Sequence, residues 1–387
     1  MKNKMRLGDI ATLITKGTTP TSVGYTFTDT GVNFVKIESI REDGTFIPDK
    51  FAHISDECNT KLKRSQLQEN DILFSIAGAI GRTAIVTKDC LPANTNQALA
   101  IIRIPQGVID YRFLLYALQS DAIIEQAEKQ KQGVAQLNLS LQNINDFEIP
   151  FFTEEEQLTV VEVLSSVDSL LSTRIAQLEQ LDELVKSRFI ELFGDPETNP
   201  KGLEKALLSD IAEYFNGLTY SPDNVTNDGT IVLRSSNIQN SQLDFADTVR
   251  VNSSIKDKLF VKDNDILMCS RNGSARLVGK VALIKNLSEP MTFGAFMMII
   301  RSRYYPYLMT YFQMDAFRRQ IATGATTTIN QITGNMLNKI SLPLPNMADI
   351  NEFATFVEQT DKSKLAVQQS IAELEELKKS LMQKYFG

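Results

Sequence analysis

Leu178–Gly194 reads LEQLDELVKSRFIELFG, and Ile371–Gly387 reads IAELEELKKSLMQKYFG. Aligned without a gap from Glu154 against Met347 to Gly194 against Gly387, 41 positions share eight identities. Asp168, Leu181, Glu183, Leu184, Lys186, Ser187, Phe193 and Gly194 fall on Asp361, Leu374, Glu376, Leu377, Lys379, Ser380, Phe386 and Gly387. Helical similarity alone could yield that many, so the flanking sequence decides. Leu7, Asp9, Ile10, Ala11 and Gly17 recur as Leu208, Asp210, Ile211, Ala212 and Gly217. Asn70–Leu73 recurs as Asn264–Leu267, and Ala98–Ile102 followed by Arg103 recurs as Phe296–Ile300 followed by Arg301. Four matched blocks in one order make the chain an internal duplication.

Each copy has the same two parts. Residues 1–152 carry short apolar runs (Phe34–Ile37, Ile72–Ile76, Ala84–Val86, Leu99–Ile102) broken by Gly, Pro and Asn, which predicts strands and turns. Leu114, Leu115, Leu118, Ile123 and Ile124 at helical spacing predict a helix from near Tyr111, so each globular part mixes α and β. Ile149-Pro150 and Leu342-Pro343 close these parts at matching points. Thr153 with Glu156 three positions on then predicts a capping box. Behind it, Leu164, Val167, Leu171, Leu178, Leu181, Val185 and Leu192 step by mostly three or four, with no Gly or Pro before Gly194. That predicts a helix of about 36 residues and roughly 54 Å. Ile350, Phe353, Val357, Val367, Ile371, Leu374 and Leu381 form the matching stripe of a second. Two long helices with apolar stripes cover one another most economically by pairing antiparallel, although Arg174, Thr360 and Lys364 interrupt an ideal coiled-coil seam.

The 387 residues exceed one ordinary domain, and 43% apolar with 22% charged residues are globular proportions. Gly294–Ile300 is too short an apolar run to span a bilayer, and Met1–Gly17 is charged where a secretory signal would be apolar, so a cytoplasmic location is expected. Cys58, Cys90 and Cys269 are too widely spaced for a zinc knuckle and read as buried thiols. His53 is the only histidine and reads as a surface residue, leaving no nucleophilic triad. Gly273–Lys280 has five residues between its glycines and Val281 where a phosphate loop needs Ser or Thr. Gly78–Thr83 fails similarly, with Arg82 in the lysine's place. Asn199-Pro200 continues with Lys201, unlike the motif with which amino-methyltransferases hold a flipped base. Glu373, Glu375 and Glu376 beside lysines read as a solvated face. No catalytic residue and no metal site is expected.

A net charge of −7 argues at first against nucleic acid. By segment, however, residues 1–152 hold 16 basic and 17 acidic side chains and residues 195–345 hold 16 and 14, whereas residues 153–194 hold 3 and 9 and residues 346–387 hold 5 and 7. The acidity belongs to the helices. Near-neutral globular parts can bind DNA where basic and amide side chains gather on loop tips. Arg271, Asn272 and Arg276 follow a strand in a Gly-containing turn, with Ser75–Arg82 as its counterpart; Lys280 follows closely. Lys36 and Ser39 match Arg234 and Asn237, and Asn94, Asn96, Gln97 and Thr323–Thr328 are further polar loops. The candidate DNA contacts are therefore Lys36, Ser39, Arg82, Asn94, Asn96, Gln97, Arg234, Asn237, Arg271, Asn272, Arg276 and Lys280.

This order of features resembles the specificity subunits of type I restriction-modification enzymes. The resemblance covers the whole chain and rests on the Leu7-Gly8-Asp9-Ile10 opening, the Ile149-Pro150 close, the leucine-rich helix ending in Lys186–Pro196, and their repetition to Lys378–Gly387. It implies an α+β chain: two similar mixed α/β target-recognition domains, 1–152 and 195–345 (with linker 195–202), separated by a pair of long antiparallel helices, 153–194 and 346–387, in an internal pseudo-twofold repeat. It also implies a non-catalytic subunit. Each recognition domain would read half of a split double-stranded DNA target, with unequal loops giving an asymmetric one. The helices, through Leu164, Leu171, Leu178, Leu181, Val357, Ile371, Leu374 and Leu381, would pair, set the spacer and dock two methyltransferase subunits. Restriction/translocase subunits would join through these; S-adenosylmethionine, ATP and Mg²⁺ would sit on the partners, with no cofactor in this chain. A structural adaptor with duplicated protein- or glycan-binding domains, or a self-contained enzyme fragment, are the competing readings.

Overall fold

Both long helices form: Glu154–Phe193 and Met347–Phe386, 40 residues each, or about 60 Å. The expected capping box opens the first, with the Thr153 N–H donating to Glu156 Oε2 (2.8 Å) and the Glu156 N–H to Thr153 Oγ1 (3.3 Å). Gly194 ends it at φ +77°, where a Cβ would stand 2.9 Å from the Pro200 ring. The chain is seen in a computed structural model describing residues 4–129, 138–322 and 331–387. It divides into two units, Met1–Ile175 with Gln369–Gly387, and Ala176–Gln368, so each long helix contributes to both.

In the first unit a four-stranded antiparallel sheet runs Leu13–Lys16, Leu99–Arg103, Ile72–Ser75, Thr83–Ile85. A three-stranded sheet runs Ala52–Ile54, Val32–Val35, Ala93–Thr95, with its last pair parallel. Helix Tyr111–Gln119, capped by Asp110, buries Phe113, Leu114 and Leu118 against the larger sheet. Val160, Val161 and Leu164 of the first long helix join this core, as do Leu381, Tyr385 and Phe386 of the second. Phe386 lies 6.5 Å from Phe152, and Lys378 Nζ lies 2.6 Å from Asp168, so the two helical segments run in opposite directions.

The second unit repeats the plan. One four-stranded sheet runs Glu213–Asn216, Met297–Arg301, Ile266–Cys269, Val281–Leu283, and the other sheet, here also of four strands, again pairs its last two in parallel, Thr230–Leu233 with Met291–Phe293. Phe189 and Phe193 pack on Tyr307 at 4.9 and 5.1 Å and on Phe353 at 5.7 and 5.4 Å. Asp182 meets Lys364 (2.6 Å) and Arg188 meets Glu352 (2.5 Å), so here too the helices are antiparallel. The polar residues of the stripe are accommodated: Lys364 takes that ion pair, and buried Thr360 donates to the Phe356 carbonyl (2.9 Å). Leu164 is fully buried, whereas Leu171, Leu178, Leu181, Val357, Ile371, Leu374 and Leu381 are half-buried, as in a two-helix seam with one side open.

The duplication extends to buried polar groups that the sequence does not advertise. Arg103 clasps Asp71 through two bonds of 2.7 Å, and Arg301 clasps Asp265 through bonds of 2.7 and 2.6 Å. Each aspartate also accepts the main-chain N–H three residues before it, from Gln68 and Lys262. Gly17 and Gly217 occupy equivalent close approaches, where a Cβ would lie 2.0 Å from the Thr95 carbonyl oxygen and 2.1 Å from that of Gly294. The three cysteines are free and buried. His53 lies in the three-stranded sheet with its ring Nδ1 buried and, among the described residues, unpartnered.

Candidate nucleic-acid interface

The polar loops fall into two groups, those that brace the sheets and those left at the surface. Ser39 is fully buried and donates to the Lys50 carbonyl (3.0 Å); Asn237, at the equivalent point, donates to the carbonyls of Asp244 (2.8 Å) and Asp247 (2.9 Å). Asn94 is fully buried, bonding Asn59 and the Leu62 carbonyl. A side chain saturated by the main chain in a dry site has no donor to offer a base edge. Ser39, Asn94 and Asn237 therefore belong to the scaffold rather than the reading surface.

Arg82 and Lys280 are a matched pair. Arg82 donates to the Ile40 carbonyl (3.1 Å), and Lys280 Nζ to the Ile238 carbonyl (2.7 Å). Their own main chains are equivalent as well, since the Ser75 N–H donates to the Arg82 carbonyl and the Cys269 N–H to the Lys280 carbonyl, both at 2.8 Å. The sequence sets Ser75–Arg82 against the 271–276 loop; the hydrogen bonds set Arg82 itself against Lys280, because the second copy's loop is four residues longer. Arg82 also lies 3.7 Å from Glu42 and lines an open concavity of about 600 Å³ with Arg41, Lys50, Glu38 and Asp43, a mixed-charge surface.

In the second unit the extra loop length brings predicted residues together. Asn272 Nδ2 donates to Ser235 Oγ (3.3 Å), joining the 271–276 loop to the short helix that Arg234 caps. Arg234 is engaged by Asp247 (2.7 Å). Arg271 and Arg276 are exposed, and no carboxylate pairs with either among the described residues. The Arg271 guanidinium lies 5.5 Å over the ring of Phe296, which is 60% exposed. Cys269 roots this loop; burial pushes its thiol up, against smaller opposing hydrogen bonds with Asn272 and Arg271. In the first unit Lys36 Nζ sits 4.4 Å over Phe27, Asn96 Oδ1 accepts from the Ala98 N–H (3.1 Å), and exposed Gln97 bonds Thr19. Thr323–Thr328 lies outside the described residues.

Sequence reasoning missed the aromatic partners Phe27 and Phe296, since a single Phe in a loop carries no signal until the fold sets a cation over it. It also missed the Asp–Arg clasps, whose members are 32 and 36 residues apart. No cluster of three His, Cys, Asp or Glu placed to hold a metal occurs among the described residues, and no helix among them is long and apolar enough to cross a membrane.

The two units define a class of fold, a duplicated α+β unit with helical extensions. The sequence model of the type I restriction modification DNA specificity domain matches residues 2–180 and again 200–376, and the chain belongs to that family. It is 28% identical over 183 residues to the StySPI specificity subunit of Salmonella potsdam, a match covering 44% of this chain and 39% of that protein. The chain thus spans well under half of that relative's length. A chain solved in work on complex assembly and conformational transition of the type I R-M system superposes over 99% of this chain and 97% of its own length, with TM-score 0.60 and 17% identity. The S subunit of a type I restriction-modification system from M. genitalium superposes over 100% and 96%, with TM-score 0.53 and 15% identity. These structural likenesses are likenesses of fold.

Proposed function

We propose that this chain is the sequence-reading, non-catalytic subunit of a type I restriction-modification enzyme, each unit reading one half of an asymmetric bipartite DNA target. The observation that carries this is the contrast between equivalent bracing and unequal tips: the Asp–Arg clasps and the Arg82/Lys280 braces repeat, while the loops they support differ in length and charge. Two reading heads on one scaffold with different tips suit two different half-sites.

In this reading the long helices fix the unread spacer and dock two methyltransferase subunits, which bring in restriction/translocase subunits. Leu184 and Leu377, at corresponding positions of the duplication, are exposed alike (48% and 47%), which suits two copies of one partner. S-adenosylmethionine, ATP and Mg²⁺ belong to those partners, and this chain contributes no catalytic group. With globular parts near neutrality the free subunit lacks the basic excess for tight binding. A gel-shift titration tests this: weak, poorly discriminating binding by the chain alone, and tight, sequence-dependent binding after co-expression with the methyltransferase subunit. No shift in either state would favour an adaptor that binds protein or glycan.

A further inference from the structure

We propose that Phe296 is the positioning residue of a base-reading pair with Arg271, and that this pair gives the second unit a guanine contact the first unit lacks. The inference rests on the DNA-reading function proposed above. Three features support it. Arg271 is held by its main chain at a junction of three segments: its N–H and that of Ser270 both donate to the Phe296 carbonyl (3.1 and 2.9 Å), and Arg271 forms a β-bridge with Gln331. Its guanidinium rests 5.5 Å over the Phe296 ring while, among the described residues, no acceptor side chain is bonded to it. In the same unit Arg234, Arg250, Arg301 and Arg319 are each tied to a carboxylate. A planar guanidinium steadied on one face keeps its forked edge free, and that edge matches the paired O6 and N7 acceptors of guanine in the major groove.

The third feature is what stands at the same place in the first unit. There the Ile76 N–H donates to the Ala98 carbonyl (2.9 Å), as the Ser270 N–H does to that of Phe296. Ala98 therefore occupies the place of Phe296, and Ala77, next after Ile76, that of Arg271. Cation and ring are present together in one unit and replaced together by alanine in the other. A phenylalanine with 60% of its surface in water is not explained by packing, since it contributes little to the core. A platform that orders a long side chain before binding lowers the entropic cost of the contact and so sharpens discrimination.

The test uses the full chain assembled with its methyltransferase subunits and reads the methylated motif and the relative methylation of oligonucleotides altered at one base pair. Arg271→Ala should lower discrimination at one G·C pair of one half-site by about tenfold or more. Phe296→Ala should relax the same pair several-fold, Phe296→Tyr should keep it, and the other half-site should be unchanged in all three. Unaltered discrimination in Arg271→Ala or Phe296→Ala would overturn the proposal. So would complete loss of methylation in Phe296→Ala at an unchanged melting temperature, because an orienting role relaxes a motif without abolishing it. A wild-type assembly that methylates no bipartite motif would instead reject the underlying function.

Discussion

The ring of Phe386, next to the last residue, lies 5.3 Å from that of Phe113 in helix Tyr111–Gln119 of the first unit. Its counterpart at the end of the first long helix, Phe193, lies 5.1 Å from Tyr307 of the second unit. The helix that follows the first copy thus ends in the core of the second, and the helix that follows the second ends in the core of the first. Each unit is completed by the other copy's helix.

Phe386→Ala should accordingly destabilise the first unit by about 3–5 kcal/mol, the usual cost of emptying a buried phenylalanine site. Urea unfolding of the purified chain checks this, with Leu377→Ala, at a residue 47% exposed, as the control. Equal effects of the two substitutions would show that the end of the second helix is not part of that core.

The Arg103–Asp71 clasp should behave as a buried ion pair. Asp71 is fully buried and Arg103 is 24% exposed, so Asp71→Asn leaves a cation partly desolvated and should cost about 3–5 kcal/mol. A double-mutant cycle with Arg103→Gln should give a coupling of at least about 1 kcal/mol, and the same cycle on Asp265 and Arg301 should match it. Additive effects in both copies would remove the clasp from the account.

Asp361, in the seam of the second unit, has a carboxyl held above its usual range, chiefly by burial, with Lys364 and Lys285 pulling the other way and Asp182 adding to the rise. A folded value above the unfolded one, about 3.9, means that the native state binds the proton more tightly. Stability from this group is therefore full below the unfolded value and declines as pH rises through the folded one. Asp361→Asn should raise the urea midpoint at pH 7 and leave it unchanged near pH 3. The gain should be small, because the side chain is 41% exposed and screened by water. A variant less stable than wild type at pH 7 would reverse the assignment.

If the paired helices set the spacer, one extra turn in each, about 5.4 Å, should lengthen the unread segment by about one to two base pairs. Methylome mapping of such a variant reads this directly, and an unchanged spacer would separate helix length from target geometry.

The duplication, the cap at Thr153 and the antiparallel stripes were legible because they are periodic or local. The acidic helices were legible once charge was divided by segment. The reading surface was only half legible, because polar residue types serve bracing and recognition equally well. Ser39, Asn94 and Asn237 look like base readers in sequence but face the protein's own carbonyls. Arg82 and Lys280 are paired only by their hydrogen bonds, since the loops that precede them differ in length. Phe296 was invisible, since its significance lies in the cation above it.

Methylome sequencing of a host expressing this chain with its methyltransferase subunits asks whether one duplicated chain reads two different half-sites. One bipartite motif is expected, two unlike specified segments flanking a spacer of fixed length and free sequence; a continuous motif, two identical half-sites or no sequence-specific methylation would rule that out.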